Sequence, residues 1–335
     1  MTAGPGVTAG PGVTAGLGVT AGPGMTAGLG MTAGLGMTHV LRAIVEPGFL
    51  GNGPVRVALL AGGVVALVSG VVGMFTVLRG QAFAGHALAD VGATGGSGAF
   101  LLGVNPLWGF VGIGVVAAGV MEIIGIRRPR GRDVATGIVL GAGLGLAALF
   151  LYWGTTFTNT TGATISVLFG SMFVISGSTV PVIIVFSLLA LGVVVLLYRP
   201  LLLSSVSTEM AAVRGVAVRI TGVLYLLAMA VAVSLAALTI GAILSTALLV
   251  GPAATALRLT SKTGLAMLWS GLIGVAATWL GILLAYDSFY WPPVRHGWPV
   301  SFFVVTLVFV FYLLAQLPPV GRVSGARARR ARDGR

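Results

Sequence analysis

Residues 56–78 read RVALLAGGVVALVSGVVGMFTVL, and the only charged residue of this run is the first one. An α-helix needs about 20 predominantly apolar residues to cross the hydrocarbon core of a bilayer. Comparable runs recur along the chain, and the pattern predicts transmembrane helices at 56–78, 84–104, 106–126, 134–153, 179–198, 219–238, 240–257, 264–285 and 300–317. The predicted fold class is therefore all-α, a polytopic transmembrane helical bundle of about nine spans, with about 8 to 10 as the acceptable range.

The composition agrees with a membrane protein and excludes several other classes. Hydrophobic residues make up 57% of the chain and charged residues 8%, whereas a typical soluble domain is ~25% charged. The absence of cysteine excludes disulfides, thiolate metal sites and cysteine nucleophiles. The single lysine, Lys262, lies in TSKTG, which lacks the glycines of a phosphate-binding loop. We therefore expect that this chain is not an enzyme and does not hydrolyse ATP itself.

The two ends of the chain differ from its apolar middle. Residues 2–37 are six copies of the hexad T-A-G-(P/L)-G-(V/M), which contains too much glycine and proline for a stable helix. We therefore expect a low-complexity disordered tail over 1–47, a transmembrane domain over 48–317 and a basic tail over 318–335. Methionines that could serve as later translation starts recur in the hexads: Met25, Met31 and Met37.

The basic residues predict the orientation of the bundle. The positive-inside rule places the arginine-rich loop 127–132 in the cytoplasm. Alternation of nine spans then places most other arginines and the C-terminus inside, and the N-terminus outside. The basic tail is expected to anchor at the anionic inner leaflet rather than to bind nucleic acid. Residues 164–176 are apolar but short, and a full span there would reverse the charge asymmetry, so they predict a re-entrant or half-length helix.

A histidine and an aspartate, His86 and Asp90, stand four residues apart in the second apolar run. On a helix the two side chains share one face. Ionisable groups at membrane depth are costly and usually line a water-filled path or contact a partner. An imidazole nitrogen beside a carboxylate oxygen can ligate a divalent transition metal or relay a proton. The structural alternative is a buried hydrogen-bonded pair that only orients helices.

The segment 198–215 lies between the fifth and sixth predicted spans. Ser207 or Thr208 can cap a helix there, Glu209 favours its first turn, and Gly215 can end it. The pattern predicts one short cytoplasmic helix, which is either an ordered loop or a site for a partner. In the seventh span, Pro252 is expected to kink or interrupt the helix, as a possible gating hinge or as a packing feature.

A resemblance to a known family rests on four stretches. The run MFTVLRGQAFAGHALAD at 74–90, followed by FLLGVNP at 100–106, resembles the second-helix region of the metal ABC transporter permeases that import zinc, manganese or iron. The motif LFGS at 168–171, the segment 198–215 and the stretch 241–256 follow in the order and approximate spacing of that family. The resemblance covers about residues 48–317.

The resemblance implies an ABC type II importer-like permease, with two copies of the permease, a cytoplasmic ATPase and an external metal-binding lipoprotein in a bacterial plasma membrane. No permanently bound cofactor is implied, since the metal is the cargo. The family usually has an aspartate followed four residues later by a histidine near the translocation path, so His86 and Asp90 form this pair in reversed order. The family's coupling helix, which docks into the ATPase, implies these docking residues: Glu209, Ala212, Arg214 and Gly215. An aspartate often seen near the start of that loop is Ser207 here.

Two other functions fit the same sequence. An ABC permease for a metal chelate or vitamin would have a similar coupling segment but would not need the His86–Asp90 pair. A proton-coupled secondary carrier would use that pair as a proton relay. Nitrogen and oxygen ligands suit zinc, manganese and iron alike, so the residues leave the choice of metal open.

Overall fold

The computed structural model describes residues 49–125, 132–157, 161–170, 172–289 and 297–317. Within these ranges all regular secondary structure is helical. The α-helices are α1 Gly53–Leu78, α2 Ala82–Leu101, α3 Pro106–Gly125, α4 Arg132–Phe157, α5 Thr161–Phe169, α6 Val180–Leu196, α7 Tyr198–Val206, α8 Thr208–Val213, α9 Val218–Ile240, α10 Ala242–Leu259, α11 Thr263–Ser288 and α12 Val300–Gln316. A short 3-10 helix, Gly177–Thr179, precedes α6.

The predicted membrane spans coincide with helices. Among the described residues, 7 helical stretches are long and apolar enough to cross a membrane: Gly53–Leu78, Pro106–Ile123, Thr136–Phe157, Gly177–Leu196, Val218–Ile240, Ala242–Leu259 and Thr263–Ser288. The last predicted span is the shorter apolar helix α12. The remaining predicted span, 84–104, corresponds to helix α2. This helix is not among the 7 stretches because its glycines, its serine, His86 and Asp90 make it more polar. The all-helical bundle predicted from the sequence is confirmed.

Of the short stretch predicted at 164–176, only the part up to Phe169 is helical, as the end of the nine-residue helix α5 (Thr161–Phe169). At 1.5 Å per residue, such a helix reaches only about half of a ~30 Å hydrocarbon core. Gly170 ends it with φ +84°, and Gly241, at the junction of α9 and α10, has φ +103°. A Cβ on Gly170 would overlap the carbonyl of Thr239, so glycine allows α5 to end against this junction.

Helices α1 and α9 form the centre of the bundle, since 72% and 83% of the residues in their apolar stretches are buried. Helix α1 packs against α6, α9, α10 and α11, whereas α2 packs against α3 and α4. Small residues permit the closest approaches: a Cβ on Gly73 of α1 would overlap the Leu249 carbonyl of α10, and one on Gly95 of α2 would overlap the Gly109 carbonyl of α3. The glycine-rich helices therefore pack backbone against backbone, as membrane helices with small residues do.

Parts of the chain that carry several predictions lie outside the described residues. These parts are the two predicted tails, 1–47 and 318–335, and the arginines of the loop at 127–130. The disorder of the first tail, the membrane anchoring by the second and the orientation of the bundle stay predictions.

Candidate metal site and docking segment

Helix α2 brings His86 and Asp90 into contact, as their spacing predicts. Nε2 of His86 lies 3.4 Å from Oδ2 of Asp90, one helical turn away. The His86 side chain is 41% exposed and that of Asp90 10% exposed. On its other side, Nδ1 of His86 lies 3.0 Å from Oγ1 of Thr246 in α10. The imidazole is therefore held between a carboxylate of its own helix and a hydroxyl of a neighbouring one.

This arrangement suits the binding of a metal ion. In the tautomer that carries the proton on Nδ1, the ring donates to Thr246 and leaves the lone pair of Nε2 beside Asp90. Two ligands that lie about 2.1 Å from a tetrahedral ion are separated by about 3.4 Å, and the Nε2–Oδ2 distance is 3.4 Å. A partner that holds the second ring nitrogen, as Thr246 does, orients a metal-ligating histidine. The pair can accept one divalent ion with little rearrangement.

Among the described residues, His86 and Asp90 do not belong to a larger cluster of ligands. In the part of the chain that the structure describes, no group of three or more His, Cys, Asp or Glu residues could hold a metal ion. A structural zinc site normally has four protein ligands, and sites with fewer keep coordination positions open. His86 and Asp90 thus provide a partial shell, which is the kind of site from which an ion can leave.

A groove of about 500 Å³ lies beside the pair, between α2, α10 and α12. Ala82, one turn before His86, and Thr246, its hydrogen-bond partner, both line this groove. Its remaining walls are mostly apolar and include Val250, Val308 and Tyr312. The half-exposed imidazole therefore lies at the surface of the bundle, next to an apolar recess.

His86 and Asp90 were predictable from the sequence, whereas Thr246 was not. The pair carries a local signal, two ionisable residues one turn apart in an apolar run. Thr246 lies within the stretch 241–256 that carries part of the resemblance, yet a single threonine in a membrane helix is too common to indicate a role. Only the packing of α10 against α2 reveals its contact.

The segment 198–215, which we call the docking segment, contains two helices rather than the one predicted. Ser207 takes extended backbone angles, φ −153° and ψ 121°, between α7 and α8. Its Oγ accepts a hydrogen bond from the Met210 backbone N–H at 3.2 Å, so Ser207 is the N-cap of α8. The predicted helix that begins at this cap is confirmed as α8, whereas the preceding helix α7 was not predicted.

The end of α8 also follows the sequence. Gly215 has φ +79°, its N–H donates to the Ala212 carbonyl at 3.0 Å, and the Val216 N–H donates to the Ala211 carbonyl at 3.0 Å. These two bonds form the glycine-containing cap that commonly ends a helix. Gly215 therefore ends the docking segment in the way that the sequence predicts.

The predicted docking residues Glu209, Ala212, Arg214 and Gly215 are all exposed. Neighbouring apolar side chains are exposed as well, and the sequence analysis missed them: Val206 at 81%, Met210 at 53% and Val213 at 89%. Ala211 is fully buried and anchors α8 to the bundle. The docking segment thus exposes a surface of mixed apolar and polar side chains, and the buried Ala211 holds this surface against the bundle.

Pro252 does not interrupt the seventh span. It lies buried inside α10, which continues from Ala242 to Leu259. A proline lacks the N–H that would bond the carbonyl four residues earlier, here that of Leu248. Neighbouring helices stabilise such a helix in a membrane protein, and Pro252 packs beside Gly274 of α11. Of the two predicted effects, a kink or an interruption, the interruption is wrong, because the helix continues through Pro252.

Comparison with known proteins identifies the family. The sequence profile of the ABC 3 transport family matches residues 54–316. The chain belongs to this family. It is therefore a multi-pass membrane permease of the bacterial plasma membrane rather than an enzyme, and ATP is hydrolysed by a separate ATPase subunit.

Relatives and a solved structure agree with this assignment. The manganese transport system membrane protein MntC of Listeria innocua is 29% identical, over 66% of this chain and 76% of its own length. The MntC protein of Halalkalibacterium halodurans is 31% identical, over 61% of this chain and 69% of its own. PsaBC from Streptococcus pneumoniae, solved in complex with a Fab, has a TM-score of 0.70 at 24% identity and covers 84% of this chain and 96% of that one. The last comparison shows that the two chains share a fold.

Proposed function

We propose that this chain is the permease subunit of an ABC importer that carries divalent transition metal ions, manganese in the first place, into the cell. The observation that carries the proposal is the His86–Asp90 pair, an open two-ligand site with 3.4 Å between nitrogen and oxygen, inside a transport permease. The MntC relatives, named as manganese transport proteins, favour manganese. Zinc and iron remain the alternatives because the same ligand types bind them.

A second copy of the chain would complete this site. The ionisable His86 side chain is 41% exposed at the surface of the bundle, where contact with lipid would be costly. A second copy that packs over the groove between α2, α10 and α12 would cover His86. Two copies would contribute four side chains, two nitrogens and two oxygens, to one path. This argument supports a homodimeric permease.

The remaining assignments complete the transport cycle. The exposed face of the docking segment, with Met210, Val213 and Arg214, is the surface for a cytoplasmic ATPase. A metal-binding lipoprotein delivers the ion from outside. By the positive-inside rule and the alternation of nine spans, the N-terminus lies outside and the C-terminus inside. Movements driven by ATP shift the bundle between outward-open and inward-open states, and Pro252 supplies a hinge in α10. The domain limits follow the sequence: a tail over 1–47, the permease over 48–317 and a basic tail over 318–335.

The partial shell at His86 and Asp90 accounts for release as well as binding. A complete four-ligand shell would trap the ion, whereas transport requires binding that is weak enough to reverse. The reversed order of histidine and aspartate keeps both ligands on one face of α2. Membership of an ABC transport family disfavours the proton-coupled carrier, and the metal-transporting relatives disfavour the chelate or vitamin permease.

Metal uptake by variants of the pair tests the proposal. We expect His86→Ala, Asp90→Ala and the double variant to insert normally but to lower manganese uptake at least ~tenfold in a strain that lacks its own copy, since loss of even an outer partner of a metal ligand costs about 10- to 100-fold. Asp287→Ala, which removes a carboxylate at the end of α11, is the matched control and should retain uptake. Competition by zinc and iron ranks the three metals. Normal uptake by the double variant would refute the role of the pair.

A further inference from the structure

A tight link that is closed by backbone hydrogen bonds joins α1 to α2. Arg79 ends α1, and its N–H donates to the Phe75 carbonyl at 2.9 Å. Gly80, with φ +64°, donates to the Val77 carbonyl at 3.1 Å, and the Gln81 N–H donates to the Thr76 carbonyl at 2.9 Å. This pattern is the glycine-containing helix cap. Because the link is short and closed, a displacement of Arg79 is passed to the start of α2.

The guanidinium of Arg79 reaches two other elements. Its NH1 donates to Oγ of Ser204 in α7 at 2.8 Å. Its Cζ lies 5.6 Å from the centre of the Tyr225 ring in α9, within cation–π range. Ser204 and Tyr225 are both buried, and Ser204 also donates to the Leu201 carbonyl at 3.1 Å. Arg79 thus joins the α1–α2 link to the first helix of the docking segment.

Further contacts hold the partners of Arg79 in place. The Tyr225 hydroxyl lies 2.7 Å from Oγ1 of Thr76 and donates to the Val72 carbonyl at 3.0 Å. The Phe75 ring contacts Tyr198, the first residue of α7, edge to face at 5.9 Å, and Tyr225 at 6.4 Å. These contacts attach the end of α1 to both α7 and α9. The cluster thus links α1 and α9 through several contacts, and the Ser204 hydroxyl of α7 joins it through Arg79.

We propose that Arg79 is a positioning residue that transmits movement of the docking segment to helix α2, and therefore to His86 and Asp90. The inference rests on the proposed function, because it assumes that an ATPase moves the docking segment. His86 lies one turn beyond the start of α2, about 6 Å along the helix axis. A shift of α7 that pulls on Ser204 is carried by the guanidinium into the closed link and then along α2.

Arginine suits this role better than other cations. Its planar guanidinium can donate to Ser204 and stack on Tyr225 at the same time, and it stays charged at any physiological pH. A lysine could make a single point contact and would lose the stacking. The conservative Arg79→Lys change is therefore expected to impair transmission while it keeps the charge.

The test measures coupling in the complex of the full-length permease with its ATPase subunit, reconstituted in proteoliposomes. For Arg79→Ala we expect ATP hydrolysis and co-purification of the ATPase to persist, while the manganese transported per ATP falls about tenfold, which corresponds to about 1.4 kcal/mol. Arg79→Lys and Ser204→Ala should lower the ratio by smaller factors. Arg219→Ala, which removes an exposed arginine at the start of α9, is the matched control and should keep the wild-type ratio.

A second readout does not depend on the transported metal. Because the chain contains no cysteine, Phe83→Cys, at a position on α2 that is 44% exposed, creates a unique labelling site in the permease. In the wild-type background its labelling rate should change when ATP is added. In the Arg79→Ala background that change should disappear.

The outcomes separate the two proposals. If the wild-type complex transports no manganese, zinc or iron, the proposed function fails, and the labelling experiment still tests Arg79. If Arg79→Ala keeps both the wild-type ratio and the ATP-dependent labelling, the role of Arg79 is refuted. If Arg79→Ala fails to assemble, the other two variants provide the test. The role of Arg79 is then refuted if Arg79→Lys and Ser204→Ala both keep the wild-type amount of manganese transported per ATP.

Discussion

Replacement of Thr246 by valine removes the hydroxyl that lies 3.0 Å from Nδ1 of His86 and keeps nearly the same side-chain volume. A neutral hydrogen bond contributes about 0.5 to 1.5 kcal/mol. Because the His86 side chain is 41% exposed, water can replace part of the bond. The expected loss is therefore near 1 kcal/mol, or about fivefold in apparent affinity.

The assay is the initial rate of manganese uptake as a function of manganese concentration, in cells that express only the variant permease. Thr246→Val should raise the apparent KM about fivefold, because an imidazole without its orienting partner presents Nε2 less often in the ligating direction. Thr246→Ser retains a hydroxyl and should remain close to wild type. In a His86→Ala background, Thr246→Val should add no further loss, since the two residues act through one contact.

Two results would contradict this reasoning. One is an unchanged KM in Thr246→Val, which would mean that the hydroxyl does not orient His86 during transport. The other is an equal loss in Thr246→Ser and Thr246→Val, which would indicate a packing effect rather than a hydrogen bond.

Two further predictions concern packing and docking. A methyl group at Gly73 would overlap the Leu249 carbonyl. Gly73→Ala should therefore lower the free energy of unfolding of the purified permease by about 1 to 3 kcal/mol or prevent its assembly. Gly119→Ala, at a position where an added Cβ would have nothing within 4 Å, is the control and should be neutral or stabilise the protein by up to ~1 kcal/mol. Equal losses of stability in Gly73→Ala and Gly119→Ala would contradict the role of packing at Gly73. Val213 is 89% exposed, and Val213→Asp should weaken co-purification of the ATPase at least ~tenfold, as loss of an interface hot spot does. Ser261→Asp, in the loop after α10, is its control, and undiminished co-purification of Val213→Asp would exclude this surface.

The docking segment shows how far local sequence signals reach. The cap at Ser207 and the end at Gly215 were predictable because a capping hydroxyl and a glycine act on backbone groups a few residues away. Helix α7, which precedes this cap, was not predicted. The exposure of Val206, Met210 and Val213 was not predictable, since apolar residues in a membrane protein are expected to contact lipid or the bundle.

Pro252 illustrates the opposite limit. Its chemistry predicts a kink or an interruption, and the interruption does not occur because packing against α11 stabilises the helix that the proline weakens. Whether such a proline breaks its helix depends on the helices that pack around it, and the sequence of one span does not show which helices these are.

Three features can be read directly from the order of the residues: the chain is a helical membrane protein, its apolar runs lie at known positions, and His86 and Asp90 share one face. These features depend on helix length and on the i, i+4 spacing, which are properties of a continuous stretch of chain. The contacts of Thr246 with His86 and of Arg79 with Ser204 join residues that are 160 and 125 positions apart, and they become visible only in the folded bundle. The physical reason is that each membrane helix satisfies its own backbone hydrogen bonds. Which helix faces meet is then decided by packing across the whole bundle, and no single run of residues encodes it.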